Sequence, residues 1–239
     1  MRMIGAGCVL ALLLAACATV TVDQSQIGNV RRVAIISALG DRFTVKKLGV
    51  TIFGNEERDF PIDAWGIDDA VVAMVRGVVG KRFEVRPATY QRSAFLVSDN
   101  SGPKVADAVR RSFATQDIDA FIVVTKGISS IGDSNSLFVS GLGMLEGDSI
   151  LVHTTNVYAI YWVTVVDGHR FTVIGNMAAW SIGQSLSAMS AVHGPNREVD
   201  ASLRPSTLDA AANAKLREVV IDLLQQNLPG TLQNLKILD

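Results

Sequence analysis

An apolar run of ten residues in the C-terminal half constrains the fold of this chain more than any other feature. Residues 157–166 read VYAIYWVTVV. Successive side chains of a strand point to opposite faces, so both faces of this strand are apolar apart from Thr164. Such a strand is typical of the centre of a sheet that is covered on both sides. The Asp167-Gly168 dipeptide that follows suits a type I′ turn and predicts a hairpin of 156–166 with 169–180.

The same run also has the length of a membrane β-strand, about 9–11 residues. Strands of membrane barrels alternate apolar side chains that face lipid with polar side chains that face the lumen. The run at 157–166 lacks this alternation, which favours a covered central strand. A pore-forming hairpin, as in a secretion pore, stays open as the alternative.

Apolar residues recur at helical spacing in three segments of the chain and predict three helices. The first helix covers 68–81 and the second covers 103–115. The third begins at a Ser206 cap and ends at Pro229-Gly230, because proline interrupts the helical hydrogen bonds.

Short apolar runs bounded by turn residues predict the remaining strands. Residues 33–36 and 43–53 flank Gly40-Asp41 and predict a second hairpin. Further strands are predicted at 83–88 and 119–125.

Three segments have no clear hydrophobic period and are predicted to be irregular. Residues 55–61 read NEERDFP and predict a charged loop. Residues 127–147 are rich in glycine and predict flexible connections around a short strand at 137–139. Residues 181–205 form a long loop, and long loops in compact domains are usually functional or mobile.

Together these elements predict one α/β (α+β) domain over 30–239. Its expected architecture is a mixed β-sheet with an antiparallel meander in the C-terminal half, covered by about three helices. The layout is similar to small periplasmic α/β modules, namely the N-terminal domain of the Tol–Pal translocation protein and the curli-secretion lipoprotein. The similarity is topological, covers about 30–225 and carries over no functional residue.

The charge balance and the cysteine count exclude several classes of protein. The 239 residues carry 22 basic and 23 acidic side chains, whereas nucleic-acid binders usually have a basic surplus. Two cysteines exclude a disulfide-rich scaffold and a zinc site of four thiolates. A charged fraction of 19% beside 49% hydrophobic residues argues against global disorder.

The N-terminus, MRMIGAGCVLALLLAAC, predicts where the protein goes. A basic residue, an uncharged apolar stretch and then small residues form the pattern of a secretory signal peptide over 1–16. Leu14-Ala15-Ala16-Cys17 resembles the lipobox of bacterial lipoproteins, in which the signal is cut just before the cysteine. The resemblance implies that Cys17 is the first residue of the mature chain and carries diacylglycerol and a further acyl chain. The alternatives are an ordinary signal peptide with a chance cysteine and an N-terminal segment that is not cleaved.

The resemblance also implies a location. Two or three acyl chains anchor a protein stably in a membrane, whereas one chain binds marginally. In Gram-negative lipoproteins an aspartate after the cysteine tends to retain the protein at the inner membrane, and here that residue is Ala18. The outer membrane, with the domain facing the periplasm, is therefore implied. Residues 17–29 predict a tether of about 40 Å at most.

One motif suggests an enzyme. Gly147-Asp148-Ser149-Ile150 resembles the nucleophile block of the GDSL esterases, which would make Ser149 a nucleophile. Those enzymes carry the block near the mature N-terminus and need an Asp-x-x-His downstream, whereas here the block is central and no such pair follows. Gly-Asp-Ser is also ordinary turn chemistry, which favours a structural role.

The other chemical candidates favour structural roles as well. His153, His169 and His193 are isolated and form no close pair of metal ligands on a helix, so neither a metal nor a cofactor is predicted. Gly141-Leu142-Gly143 is too short for a dinucleotide fingerprint. The acidic cluster at 56–59 is more typical of a solvated loop than of a cation site.

These observations favour a lipid-anchored lipoprotein without catalytic activity, which binds or assembles a partner of the cell envelope. Binding residues concentrate on loops held by a rigid scaffold, so 55–65 and 181–205 are the candidate contact surfaces. Trp65 either anchors the first loop in the core or is an exposed contact residue. A self-assembling secretion pore and an envelope esterase that uses Ser149 are the alternatives, and the oligomeric state and the partner stay open.

Overall fold

The structure of the protein is a computed structural model that describes residues 22, 24–49, 54–96, 101–114, 116–131, 138–148, 153–179, 192–205 and 213–238. The strands in these ranges are β1 (Arg32–Ala38), β2 (Arg42–Leu48), β3 (Glu56–Pro61), β4 (Glu84–Arg86), β5 (Ala120–Lys126), β6 (Ile128–Ser130), β7 (Phe138–Asp148), β8 (His153–Asp167), β9 (Val173–Ala178) and β10 (Asn196–Glu198). The helices are α1 (Gln24–Ile27), α2 (Ile67–Val79), α3 (Gly102–Phe113) and α4 (Ala214–Asn234). Short 3-10 turns occupy Asp63–Trp65, Arg92–Phe95 and Ala201–Leu203.

The predicted fold class is confirmed, since the strands form one mixed sheet with helices packed on it. The long strand β8 divides this sheet into two halves. Half-sheet A has the order β4-β1-β5-β8-β9, and half-sheet B has the order β3-β2-β7-β8-β10, with the short β6 paired to β7. β8 therefore lies in the centre of the sheet, and its predicted hairpin with β9 is confirmed.

The two half-sheets meet end to end along one edge of β8. β5 pairs with 161–167 of β8 and β7 pairs with 153–160, both antiparallel. At the junction the Gly127 N–H donates to the Ile160 carbonyl at 2.8 Å, and the Gly141 N–H donates to the Gly127 carbonyl at 3.1 Å. We call this junction the seam.

The predicted hairpin around Gly40-Asp41 is wrong. β5 and β7 run in the same direction because both are antiparallel to β8. β1 is parallel to β5, and β2 is parallel to β7. β1 and β2 therefore also run in the same direction, and Gly40-Asp41 carries the chain across the seam from one half-sheet to the other.

The helices cover the half-sheets unequally. α2 and α4 pack on one face of both halves and enclose the larger core, which includes Val71 of α2 and Leu224 of α4. α3 and the turn Arg92–Phe95 cover the opposite face of half-sheet A and enclose a second core. On the opposite face of half-sheet B, the described residues form a small apolar cluster of Ile131, Val139, Leu145, Tyr158, Ile160 and Val192.

Two segments that were predicted to be irregular are strands. Residues 56–61, within the predicted charged loop, form the strand β3, which pairs with β2. Four of its first five side chains are charged because it lies at the edge of the sheet, where charge prevents unwanted pairing. The glycine-rich segment 127–147 contains β6 and most of the eleven-residue β7 rather than a short strand at 137–139.

The two amphipathic helices at 68–81 and 103–115 are confirmed as α2 and α3, within two residues at each described end. The end of the last helix at Pro229-Gly230 is wrong, because α4 continues to Asn234. Leu228 and Leu232, on either side of the proline, are fully buried against the sheet. Tertiary packing thus outweighs the hydrogen bond that Pro229 cannot donate. The predicted Ser206 cap lies outside the described residues, and Asn213 caps α4 by accepting from the Leu216 N–H.

The described part of the predicted tether lies against the domain. Val22 and Ile27 are 3% and 1% exposed and belong to the larger core. The Val22 N–H donates to the Leu235 carbonyl just after α4, at 2.9 Å. The packed structure therefore reaches back at least to Val22.

Candidate functional site

The topology of half-sheet A marks one place where a ligand is expected. β1 lies between β4 and β5, and all three strands are parallel. The chain passes from β1 to β4 through α2 on one face, and from β4 to β5 through α3 on the other face. The carboxyl ends of β1 and β5 thus flank the switch point, where ligands bind in open α/β sheets.

A cavity of about 340 Å³ lies at this switch point, on the seam. Ala38 at the end of β1 and Lys126 at the end of β5 line it. Asp41 and Arg42, which follow β1, and Thr44 of β2 form part of its walls. Because β2 and β7 continue the sheet beyond the switch point, half-sheet B closes the far side of the cavity.

The backbone between β1 and the cavity is held by a carboxylate from the first turn of α2. Asp68 Oδ1 accepts hydrogen bonds from Ser37 Oγ at 2.7 Å and from the N–H groups of Leu39 at 2.8 Å and Gly40 at 3.1 Å. Both amides lie directly after β1 and point to the same carboxylate oxygen. The Asp68 carboxylate thus joins the first turn of α2 to the end of β1.

Two side chains from the segment before α3 complete this support. The Tyr90 hydroxyl donates to the Ser37 carbonyl and accepts from the Ser37 N–H, both at 2.9 Å. Burial raises the pKa of Tyr90, so the hydroxyl stays protonated as this arrangement requires. Arg92 donates to the Gly40 carbonyl at 3.2 Å and to Asp68 Oδ2 at 3.3 Å. The end of β1 is therefore a rigid part of the cavity.

The polar walls of the cavity consist of ion pairs. Asp41 pairs with Lys126, and their side chains are only 12% and 17% exposed. Asp41 Oδ1 is fully buried and has no well-oriented hydrogen-bond donor among the described residues, although the Lys126 ammonium lies against it. Both groups are thus sheltered, and their electrostatic interactions are stronger than on an open surface.

A second set of charges stands nearer to solvent. Arg42 pairs with Asp59 of β3 at 2.9 Å, and these side chains are 53% and 45% exposed. Hydrogen bonds to Asp59 and Asp41 raise the pKa of Arg42. Glu57, also on β3, pairs with Lys46 at 2.9 Å. Each carboxylate of the cavity wall is therefore paired with a cation.

The remaining wall is apolar. Leu96 and Ile128 line the cavity, each 42% exposed, and Phe138 lines an adjoining hollow of about 170 Å³ and is 46% exposed. Among the described residues these three are the exposed large hydrophobic side chains, and all of them lie here. Exposed apolar residues that gather in one place indicate a binding surface.

The floor of the hollow depends on a glycine. Tyr158 of β8 lies opposite Gly143 of β7. A Cβ atom at residue 143 would overlap the Tyr158 hydroxyl and the Thr44 carbonyl oxygen, so only glycine leaves room for this ring. Burial raises the pKa of Tyr158, and the neighbouring carboxylates of Glu57 and Asp59 add to the effect.

This arrangement is suited to binding. Each carboxylate of the cavity faces a cation, so the walls present charges of both signs beside the apolar side chains. No group of three His, Cys, Asp or Glu side chains within the described ranges could hold a metal ion.

The candidate residues predicted from the sequence fall outside the described residues or at the ends of β7 and β8. Cys17 and Ser149 lie outside the described residues, while Gly147 and Asp148 end β7. His153 begins β8, and His169 follows β8, with its Nε2 3.5 Å from an oxygen of Asp119. These positions lie at opposite ends of the same strand.

The two candidate contact surfaces have different outcomes. The segment 55–65 is not a loop, but its Glu57 and Asp59 do line the cavity. Trp65 is 1% exposed, so its interpretation as a core anchor is confirmed and that of an exposed contact is wrong. Residues 181–191 lie outside the described part of the chain, and β10 lies within 192–205.

Apart from Glu57 and Asp59 in the candidate segment 55–65, the residues of the cavity were not predicted from the sequence. Asp41 and Lys126 are far apart in the chain and match no motif. The available signal was topological: both follow buried strands, Val33–Ile36 and 119–125, and carboxyl ends of parallel strands meet at one edge. The wrongly predicted hairpin at Gly40-Asp41 concealed this relation.

No protein-family model matches the chain, and no match to it was found among curated proteins.

Proposed function

We propose that this protein is a lipoprotein anchored through Cys17 in the outer membrane, with its domain in the periplasm, where it binds a component of the cell envelope. The lipobox Leu14-Ala15-Ala16-Cys17 carries the proposal of the anchor. The early packing of the chain supports it. Val22 is buried only five residues after Cys17, so that the domain is held within about 18 Å of the acylated residue.

Membrane fractionation tests the anchor. Cys17→Ala should abolish acylation and leave the signal segment in place, so the protein should leave the outer-membrane fraction and gain the mass of residues 1–16. Cys8→Ala is the matched control, because Cys8 lies in the segment to be removed and its loss should change neither location nor mass. A Cys17→Ala protein that still fractionates with membranes and matures normally would contradict the anchor.

Among the described helices none is long and apolar enough to span a membrane.

The cavity at the seam supports the binding role. It combines a rigid support, sheltered ion pairs and a cluster of exposed apolar side chains, whereas its carboxylates face cations rather than a nucleophile. The proposed role is therefore binding or assembly without catalysis.

Crosslinking in cells followed by purification of the tagged protein tests this role. Specific envelope components should be recovered with the natural chain and be lost with Cys17→Ala. Recovery of self-crosslinks alone would contradict binding of another envelope component and would favour the secretion-pore alternative. Ester hydrolysis that disappears in Ser149→Ala would favour the esterase.

A further inference from the structure

We infer that the cavity at the seam binds a small zwitterion of the amino-acid type, which carries an ammonium group, a carboxylate and an apolar side chain. This inference specifies the ligand of the proposed binding role and rests on that role. A free apolar amino acid and a short apolar peptide share the required chemistry.

The size of the cavity limits the ligand. Small-molecule sites usually enclose about 300–1,000 Å³. The cavity of about 340 Å³ is near the lower end, which suits one or two amino-acid residues better than a nucleotide or a large cofactor. The adjoining hollow of about 170 Å³ shares Thr44, Glu57, Ile128 and Ser140 with the cavity and extends it for a second residue.

The charges of the cavity favour a ligand that carries both a positively and a negatively charged group. Asp41 and Asp59 stand beside Lys126 and Arg42, so neither sign dominates the walls. A ligand with a single charge would meet one attractive and one repulsive partner in each pair. An ammonium directed to the carboxylates and a carboxylate directed to the cations would interact favourably with both, and the shelter of Asp41 and Lys126 strengthens these interactions.

The apolar wall of the cavity favours a ligand with an apolar side chain. Leu96 and Ile128 keep 42% of their surface exposed beside the charged walls. Phe95, which also lines the cavity, is fully buried and fixes the position of the wall. A leucine-sized side chain against Leu96 and Ile128 would remove this apolar surface from water.

The support of the cavity argues against a phosphorylated ligand. The N–H groups of Leu39 and Gly40 beside the cavity already donate to Asp68 and are not available to a phosphate. A phosphate would have to displace this carboxylate, and the adjacent Asp41 would repel it. An uncharged sugar would form no charge–charge interaction with either ion pair.

Calorimetric titration of the full mature protein, extracted from membranes in detergent, tests the inference. The probes are L-leucine, its amide, which lacks the carboxylate, 4-methylpentanoate, which lacks the ammonium, and the dipeptide leucyl-leucine. The variant Asp41→Asn/Lys126→Met removes both sheltered charges and leaves neither one unpaired. Asp107→Asn/Arg110→Gln removes an exposed ion pair of α3 and is the matched control.

Leucine or leucyl-leucine should bind at millimolar concentration or below, and the probe that binds more tightly identifies the source of the ligand. Loss of either charged group from the ligand should weaken binding about tenfold or more, because a hydrogen bond to a charged group is worth about 1.5–3 kcal/mol. The Asp41→Asn/Lys126→Met variant should weaken binding as much and still unfold cooperatively, whereas the Asp107→Asn/Arg110→Gln control should bind as the natural chain does. Absence of binding by both zwitterions, equal binding of the amide, or full binding by the Asp41/Lys126 variant would overturn the inference. The mass of the same preparation reports the lipid on Cys17, so failure of the anchor is seen separately.

Discussion

Asp119 ties the start of β5 to the start of β1 and should make the stability of the domain depend on acidic pH. Its carboxylate accepts hydrogen bonds from the N–H groups of Arg31 at 2.9 Å and Arg32 at 2.8 Å, and from Arg32 Nη2 at 2.9 Å. Burial alone would raise the pKa of Asp119, but these hydrogen bonds outweigh it and lower the pKa from 3.8 to about 2. The folded state thus favours the ionised carboxylate.

The magnitude follows from this difference. A pKa of about 2 in the folded state against 3.8 in the unfolded state corresponds to at most roughly 2.4 kcal/mol. Screening by solvent at this edge of the sheet reduces the expected contribution to about 1–2 kcal/mol. Because the folded pKa is the lower one, the contribution is fully present above pH 4–5, falls to about half near pH 3 and is nearly lost at about pH 2.

Asp119→Asn removes the charge and keeps the shape of the side chain. Denaturant unfolding should show a loss of about 1–2 kcal/mol at pH 7, and this difference from the natural chain should shrink as the pH falls toward 2. Asp107→Asn, an exposed carboxylate of α3, should change the free energy of unfolding by less than about 0.5 kcal/mol at either pH. A difference for Asp119→Asn that is the same at pH 7 and pH 2.5 would refute the linkage.

Three further predictions concern packing and the support of the cavity. Gly143→Ala should lower the free energy of unfolding by about 2–3 kcal/mol because its Cβ overlaps Tyr158, whereas Gly147→Ala on the same strand meets only Thr154 Oγ1 at 3.6 Å and should be near neutral in the same denaturant assay. Asp68→Ala should cost about 2 kcal/mol because it leaves buried amides unpaired, and added sulfate should raise its melting temperature more than that of the natural chain. Trp65→Ala should cost about 3–5 kcal/mol by thermal or denaturant unfolding, and a loss below 1 kcal/mol would contradict its role as a core anchor.

Local patterns in the sequence predicted the elements whose signal is local. The helical spacing of apolar residues placed α2 and α3, and the unbroken apolar run placed β8 in the centre of the sheet. Edge and glycine-rich strands have no such signal. β3 is charged because nothing in the described structure pairs with its outer side, and β7 contains Gly143 because Tyr158 needs the room.

The direction of strands could not be predicted from local patterns either. Gly40-Asp41 has the residues of a hairpin turn. The relative direction of β1 and β2 is nevertheless decided by β8, because β8 aligns their partners β5 and β7 and lies more than a hundred residues further along the chain. The cavity could not be predicted for the same reason, since Asp41 and Lys126 come together only when β8 aligns β5 with β7. Likewise, Pro229 is a helix breaker by itself, and only burial of its neighbours keeps α4 continuous.

The position of β8 also has a consequence for how the chain folds. β5 and β7 are both complete in the chain before β8 begins, so β7 lacks its partner in β8 until residue 160 and β5 lacks its partner in β8 until residue 167. Folding must therefore wait for contacts between distant segments, and such contacts slow folding. The two halves share β8 and the core under α2 and α4, so unfolding of one half removes packing from the other. We expect one cooperative transition, in which opening of β8 exposes both halves to proteolysis at once.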